Sequence, residues 1–257
     1  MIVIRNLLPV VWRELKVDLN SIGRKINYFL NPMLILILYA VAFSVHADKV
    51  PYMNKQVEFT TFFVPGLVTF QVFAMFSITF SRVRTDMLSN VVNTIALSNV
   101  PIKNYYFGVL LVGTVETFLR ILFLIVLAHF LFGTVVPMNL VTIAIISLYI
   151  IVGCCMWYSV GFICGILIAN EEIRDIFFSL LVLPISFASS LYYNIDYAPT
   201  TLKTIAKVNP LTYNCDVIRE AFIMPHPHLW QNYLILSFVS VALVMFGSIK
   251  TLRFATT

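Results

Sequence analysis

The chain alternates long apolar runs with short polar ones, and six runs are candidates for membrane-crossing helices: residues 29–45, 62–80, 107–132, 140–169, 176–191 and 233–249. A helix needs about 20 mostly apolar residues to cross a hydrocarbon core. The fifth run is the shortest and carries Pro184. A full crossing is expected there because the charge distribution described below requires an even number of spans. Ahead of the first run, Leu7, Val11, Leu15, Leu19, Ile22 and Ile26 recur at helical spacing, while Arg13, Glu14, Lys16, Arg24 and Lys25 occupy much of the remaining surface. This pattern predicts an amphipathic helix within residues 1–28 that lies on one leaflet. It serves either as an anchor or as a lever touching a partner.

Two polar stretches between runs are longer than a plain connection needs. In the stretch after the second run, Met87, Val91 and Ile95, with Leu88, make an apolar stripe; Asp86 stands near its start and Pro101 ends it. The spacing predicts a short helix projected away from the bundle as a docking element. The stretch from Tyr192 to Gln231 contains "LKTIAKV" and "YNCDVIREAFI", both expected as short amphipathic helices, punctuated by Pro199, Pro210, Pro225 and Pro227. Asn209 before Pro210 suits a turn that starts a helix. Such a turn and helix would pack against the ends of the spans or dip back into the leaflet, where backbone must be shielded by protein or line a wet cavity.

Composition narrows the class. The 257 residues are 60% hydrophobic and 11% charged, with a mean hydropathy of +0.91, which is far from a soluble domain. Eleven of the 17 lysines and arginines flank the spans on the side of the N-terminus, five lie on the opposite side, and Arg120 falls within a span. By the positive-inside tendency both termini are expected in the cytoplasm and the 192–231 region outside. The net charge of +5 is scattered over short loops and does not form a nucleic-acid surface. No small-residue cleavage site follows the first apolar run, so it is expected to remain as a span.

Chemistry-bearing residues are few. Glu116 and Arg120 stand four apart within the third run, with the acid on the N-terminal side, the favourable order for a helical ion pair. Charges facing lipid cost several kcal/mol, so both are expected to face protein or water, as a latch or as a structural pair. "GFICG", Gly161 to Gly165, permits close helix contact, with packing inside the subunit expected first and a dimer contact second. Cys154, Cys155, Cys164 and Cys215 offer no disulfide framework, and His46, His129, His226 and His228 have no further ligands at metal-site spacing. There is no GxSxG, HExxH or GxxxxGK[ST] motif, so no hydrolytic site and no nucleotide site is expected in this chain.

The residues "FFVPGLVTF" opening the second span, "NTIALSNVPIKNYYFG" entering the third, and "PISFASSLYYNIDYAPTTLKTIAKVNPLTYNCDVIREAF" together resemble the permease subunits of type-2 ATP-binding-cassette (ABC) exporters. That group includes daunorubicin-resistance permeases and the nodulation lipo-oligosaccharide exporter permease. The resemblance covers almost the whole chain. It implies an all-α integral membrane protein of six transmembrane helices, with an N-terminal amphipathic interfacial helix, a cytoplasmic coupling helix, and extracytoplasmic re-entrant helices between spans five and six.

It also implies a dimer, homo- or heterodimeric, working with two separate ATPase subunits that bind ATP and Mg; this chain would hold no cofactor and no metal. Asp86, Met87, Val91, Ile95 and Pro101 would belong to the coupling helix, with the N-terminal helix as a second contact. Asn209, Pro210, Tyr213 and Arg219 would belong to the outer re-entrant region. The substrate path between two copies would be lined by Phe70, Phe73, Phe76 and Ser77 of span two and by Ser186, Ser189, Ser190 and Tyr193 of span five. Cargo would be amphipathic: a lipid, a lipid-linked glycan or a hydrophobic drug. The family often carries a more acidic, glycine-containing run where this chain reads "RTDMLSNVVN". Two rivals are weaker. A gradient-driven carrier or channel would need ionisable groups on several spans, whereas Glu116 and Arg120 share one; an intramembrane enzyme would need a nucleophile with a base in reach.

Overall fold

A computed structural model describes residues 2–20, 22–44, 49–53, 55–98, 100–134, 139–168, 170–224 and 230–254. His46, Pro225, His226, Pro227 and His228, singled out above, lie outside the described residues. The described chain forms α1 (Ile2–Leu19), α2 (Ile22–Ser44), a hairpin of β1 (Lys49–Tyr52) and β2 (Lys55–Glu58), α3 (Phe59–Leu88), α4 (Val91–Leu97), α5 (Ile102–Phe132), α6 (Leu140–Leu167), α7 (Glu171–Phe187), a 3₁₀ turn (Ile195–Tyr197), α8 (Thr200–Val208), α9 (Pro210–Ile223) and α10 (Trp230–Phe254). Three of these, α3, α5 and α6, are long and apolar enough to cross a membrane; shorter apolar helical stretches occupy Phe29–Leu38 in α2 and Ile235–Gly247 in α10.

The expected helix within residues 1–28 is two helices, because α1 stops at Leu19 and α2 starts at Ile22. The antiparallel hairpin, with Lys49 opposite Glu58 and Tyr52 opposite Lys55, was not anticipated and modifies the all-α expectation. Its four-residue strands are too short to show as alternation in the sequence, and Pro51 inside β1 argues against a strand by local rules.

α3 is the axis of the fold. It packs against α6, α9, α5 and α2, and its middle is the most enclosed of the long helices. Small residues let the neighbours close on it. A Cβ at Gly161 of α6 would lie 2.4 Å from the backbone oxygen of Phe76, and one at Gly165 would lie 3.2 Å from that of Phe80. The "GFICG" pattern therefore packs α6 on α3 within the subunit, where contact depends on close backbone approach rather than on expulsion of water. Gly66 of α3 plays the same part toward the turn after α7, with Leu191 O only 2.0 Å from its virtual Cβ.

α9 differs from the expected amphipathic helix. Leu211, Cys215, Val217, Ile218 and Ala221 are fully enclosed, and so are Asn214, Arg219 and Glu220, because α9 is wedged against α3, α6 and α10. Cys215 packs as a small hydrophobe, at 0% exposure and unpaired with another cysteine. The four Cys thiols are all free.

Candidate functional site

Three places in the fold hold the residues singled out by sequence. At one end of the bundle, Asp86 ends the buried face of α3 and does not begin the short helix that follows. Arg13 of α1 donates from Nη2 to Asp86 Oδ1 at 2.6 Å and from Nη1 to Oδ2 at 3.1 Å, and Tyr105 of α5 donates its hydroxyl to Oδ2 at 2.8 Å. Arg13 also pairs with Glu14, and Arg82 Nε lies 3.5 Å from Glu14 Oε2, a carboxylate only 1% exposed. Burial works against the Arg13 charge, but the hydrogen bonds and charge of Asp86 and the charge of Glu14 outweigh it, so its pKa stands above the ordinary arginine value. This clasp ties α1, α3 and α5 together with charge-assisted, bidentate bonds, the strong kind.

Beyond the clasp the chain reverses at Asn90, which adopts φ 55°, a left-handed conformation that asparagine tolerates well. α4 follows, ending at Leu97 with Ser98 after it; Pro101 precedes α5 and does not terminate α4. Most of the predicted stripe faces inward: Met87 and Ile95 pack on the core, Val91 is half-buried and Val92 is 8% exposed, but Leu88 at the end of α3 is 57% exposed and is not part of that seat. What α4 turns outward is Asn93, Thr94 and Leu97, the last 86% exposed. The apolar period thus marked the seat of the helix, and its outward face follows by elimination.

The second place is a cavity of about 240 Å³ between α2, α3, α5 and α7, lined by Asn31, Pro32, Phe70, Gln71, Phe73, Ala74, Ser77, Ile78, Arg120 and Val182. It brings together Phe70, Phe73 and Ser77 with Arg120, a combination that separate readings of spans two and three did not foresee. Phe76 is not part of it. Its ring is 4% exposed within the core and stacks at 6.3 Å on Phe73, which itself meets Trp157 edge-on at 4.6 Å. Arg120, 4% exposed, donates from Nη2 to Thr117 Oγ1 at 2.9 Å and from Nε to the backbone oxygen of Glu116 at 3.4 Å. Its helix thus holds the guanidinium at the cavity wall.

The third place is the turn after α7. Ser186, Ser189 and Ser190 are all buried and do not line that cavity. Ser186 and Ser189 bond to carbonyls of their own helix turn, and Ser190 donates to Asp216 Oδ1 at 2.6 Å. Tyr193 lines a separate cavity of about 490 Å³ with Phe59, Phe62, Tyr192, Tyr197 and Leu202, beside the hairpin. Arg219, 1% exposed, pins this turn to α3: it donates to Phe62 O at 3.1 Å, Ser190 O at 2.6 Å and Leu191 O at 3.1 Å, and its guanidinium sits 4.0 Å from the Phe62 ring centre. Asn209 caps α9 by accepting from Leu211 N at 3.0 Å, and its amide donates to Ile185 O at 2.8 Å, with Pro210 at the first helical position. Tyr213 donates its hydroxyl to Lys207 O.

The order of these parts along the chain now has a counterpart among known proteins. The profile of the family described as ABC-2 type transporter matches residues 6–223. The chain belongs to this family. It is also 26% identical over 207 residues, covering 78% of this chain and 68% of the relative, to "Putative transport permease ycf38" of Cyanophora paradoxa. The protein is therefore a transport permease of the membrane, of a family that works with an ABC ATPase. The matched range takes in the clasp, the cavity and the α9 wedge, and stops before α10.

Sequence reasoning missed Glu14, Tyr105, Gln71, Gly66 and Leu97. Glu14 stands one turn after Val10, and both are buried, so spacing could have found it; its charge hid it among surface residues. Gln71, 4% exposed in an apolar span, carried a visible signal, since a buried amide in lipid needs a reason.

Proposed function

We propose that the chain is the permease subunit of an ABC exporter that moves an amphipathic or lipid-like cargo out across the cytoplasmic membrane. Two copies, or one copy and a related permease, would form the path, and two partner ATPases would bind ATP and Mg and supply the energy. α2, α3, α5, α6, α7 and α10 would be the six spans, with both termini cytoplasmic. The observation that carries the reading is the cavity between α2, α3, α5 and α7, where two phenylalanines and a valine share a wall with a buried cation and an amide. Apolar surface with a few placed polar groups suits a cargo that is itself half apolar.

The clasped end is where ATP would act. α4 turns Leu97 outward beside the Arg13–Asp86 clasp, and α1 exposes Leu8 and Trp12 at 62% and 66%, the face of a helix that rests in the interface. Closure of the ATPases would push α4 and α1; the clasp would pass the motion to α3 and α5, and the spans would rock as packed units. At the other end, α8, α9 and the hairpin would cap the exit, with Arg219 holding the cap to α3.

The test is affinity purification of the chain from its native membrane in a mild detergent, with mass spectrometry of everything retained. Recovery of a P-loop ATPase near equal stoichiometry is the expected result. Its absence under conditions that keep the permease assembly intact would refute the exporter reading and favour a gradient-driven carrier.

A further inference from the structure

We infer that the cavity between α2, α3, α5 and α7 takes the anionic head group of an amphiphile, with Arg120 as the charge that selects it. The inference rests on the exporter reading and names the class of cargo. Among the described residues the lining presents a cation and no carboxylate; Glu116, one turn before Arg120 on α5, is not one of those lining residues. Gln71, 4% exposed, and Ser77 bring an amide and a hydroxyl to the same wall, and neither side chain makes a hydrogen bond among the described residues. Both polar groups face the cavity space, where a ligand can supply the hydrogen bonds they lack. The oxygens of a phosphate or carboxylate accept from all three donors at once.

The rest of the wall is apolar, with Phe70, Phe73 and Val182. A volume of about 240 Å³ is room for a head group and not for acyl chains, so the tail would extend beyond the cavity. In this low-dielectric setting a charge pair is stronger than in water, so an acid is favoured over a neutral head of equal size.

Equilibrium binding to the full-length permease in neutral-lipid nanodiscs tests this, with radiolabelled dioctanoyl phosphatidic acid as the probe, the matching diacylglycerol as the uncharged control, and uptake by empty nanodiscs subtracted. The acid is expected to bind about tenfold tighter or more, the ratio worth about 1.4 kcal/mol. Gln71→Leu is expected to weaken the acid several-fold and to leave diacylglycerol unchanged, and Arg120→Gln is expected to abolish the preference. Because Arg120 is buried, thermal unfolding of that variant is read alongside; should it not fold, the wild-type comparison and Gln71→Leu decide. Equal binding of the two probes by the wild type overturns the inference, as does a folded Arg120→Gln that keeps the preference. Inorganic phosphate competing at the same concentration as phosphatidic acid would assign the site to soluble anions and overturn the amphiphile. Each failure leaves the exporter reading intact, since that reading fails on a different result, the absence of an ATPase.

Discussion

Replacing Arg219 with methionine tests the joint between the α9 cap and α3. The substitution keeps most of the side-chain volume and removes the guanidinium, so Phe62 O, Ser190 O and Leu191 O lose a donor in a place where Arg219 is 1% exposed. Hydrogen bonds to a charged group contribute about 1.5–3 kcal/mol each. Against three of them stands the desolvation of the guanidinium, several kcal/mol per buried ion, which the wild type also bears. The Phe62 cation–π contact adds about 1–2 kcal/mol when desolvated. The Asp216 carboxylate, 3.7 Å from Nη1 with its side chain 29% exposed, can recover water, so its loss adds little. The balance leaves an expected destabilisation of about 3 kcal/mol, read as the shift in a reversible denaturant titration of the purified protein in mixed micelles. Arg219→Lys should recover less than half, because one ammonium cannot reach three carbonyls spread over α3 and the turn after α7. A loss below about 1 kcal/mol for methionine would refute the reasoning: the desolvation cost would then cancel the bonds, as it does at some buried ion pairs.

Leu97→Asp should lower co-purification of the ATPase at least tenfold without shifting the melting temperature, since Leu97 is 86% exposed; an unchanged yield would remove α4 from the contact. Ile95 is a poorer probe because it packs on the core. For the clasp, Asp86→Asn and Arg13→Gln should each weaken ATPase stimulation by cargo, and a double-mutant cycle on stability should give a coupling of about 1–3 kcal/mol; a coupling near zero would mean that the two side chains meet without holding α1 to α3.

Much of this protein was legible locally. Runs of apolar residues and the 3.6-residue period reflect neighbours along the chain, so the long helices, the Asn209–Pro210 start of α9 and the close-packing role of Gly161 and Gly165 could be read in order. The division of the N-terminal region into α1 and α2 and the short hairpin could not, the hairpin because its four-residue strands carry too few positions for alternation and Pro51 speaks against a strand.

The larger limit lies in the solvent. In water, an apolar stripe shows which face of a helix is buried; in a membrane, lipid and protein interior are equally apolar, and the stripe disappears. Phe70, Phe73, Phe76 and Ser77 therefore looked alike as lining, and only the packing of α6 on α3 decided that Phe73 and Phe76 both enter the core while Phe73, with Phe70 and Ser77, also reaches the cavity. The same holds for charge. The sequence by itself determined that Arg120, inside a span, needed a setting that would accept it, because an isolated charge in lipid is costly, whereas Arg13 and Asp86 read as polar residues outside the spans. The tertiary structure alone decided which setting: it brought α1, α3 and α5 close enough for Arg13 and Tyr105 to meet Asp86, and it turned Arg120 to the wall shared by α2, α3 and α7.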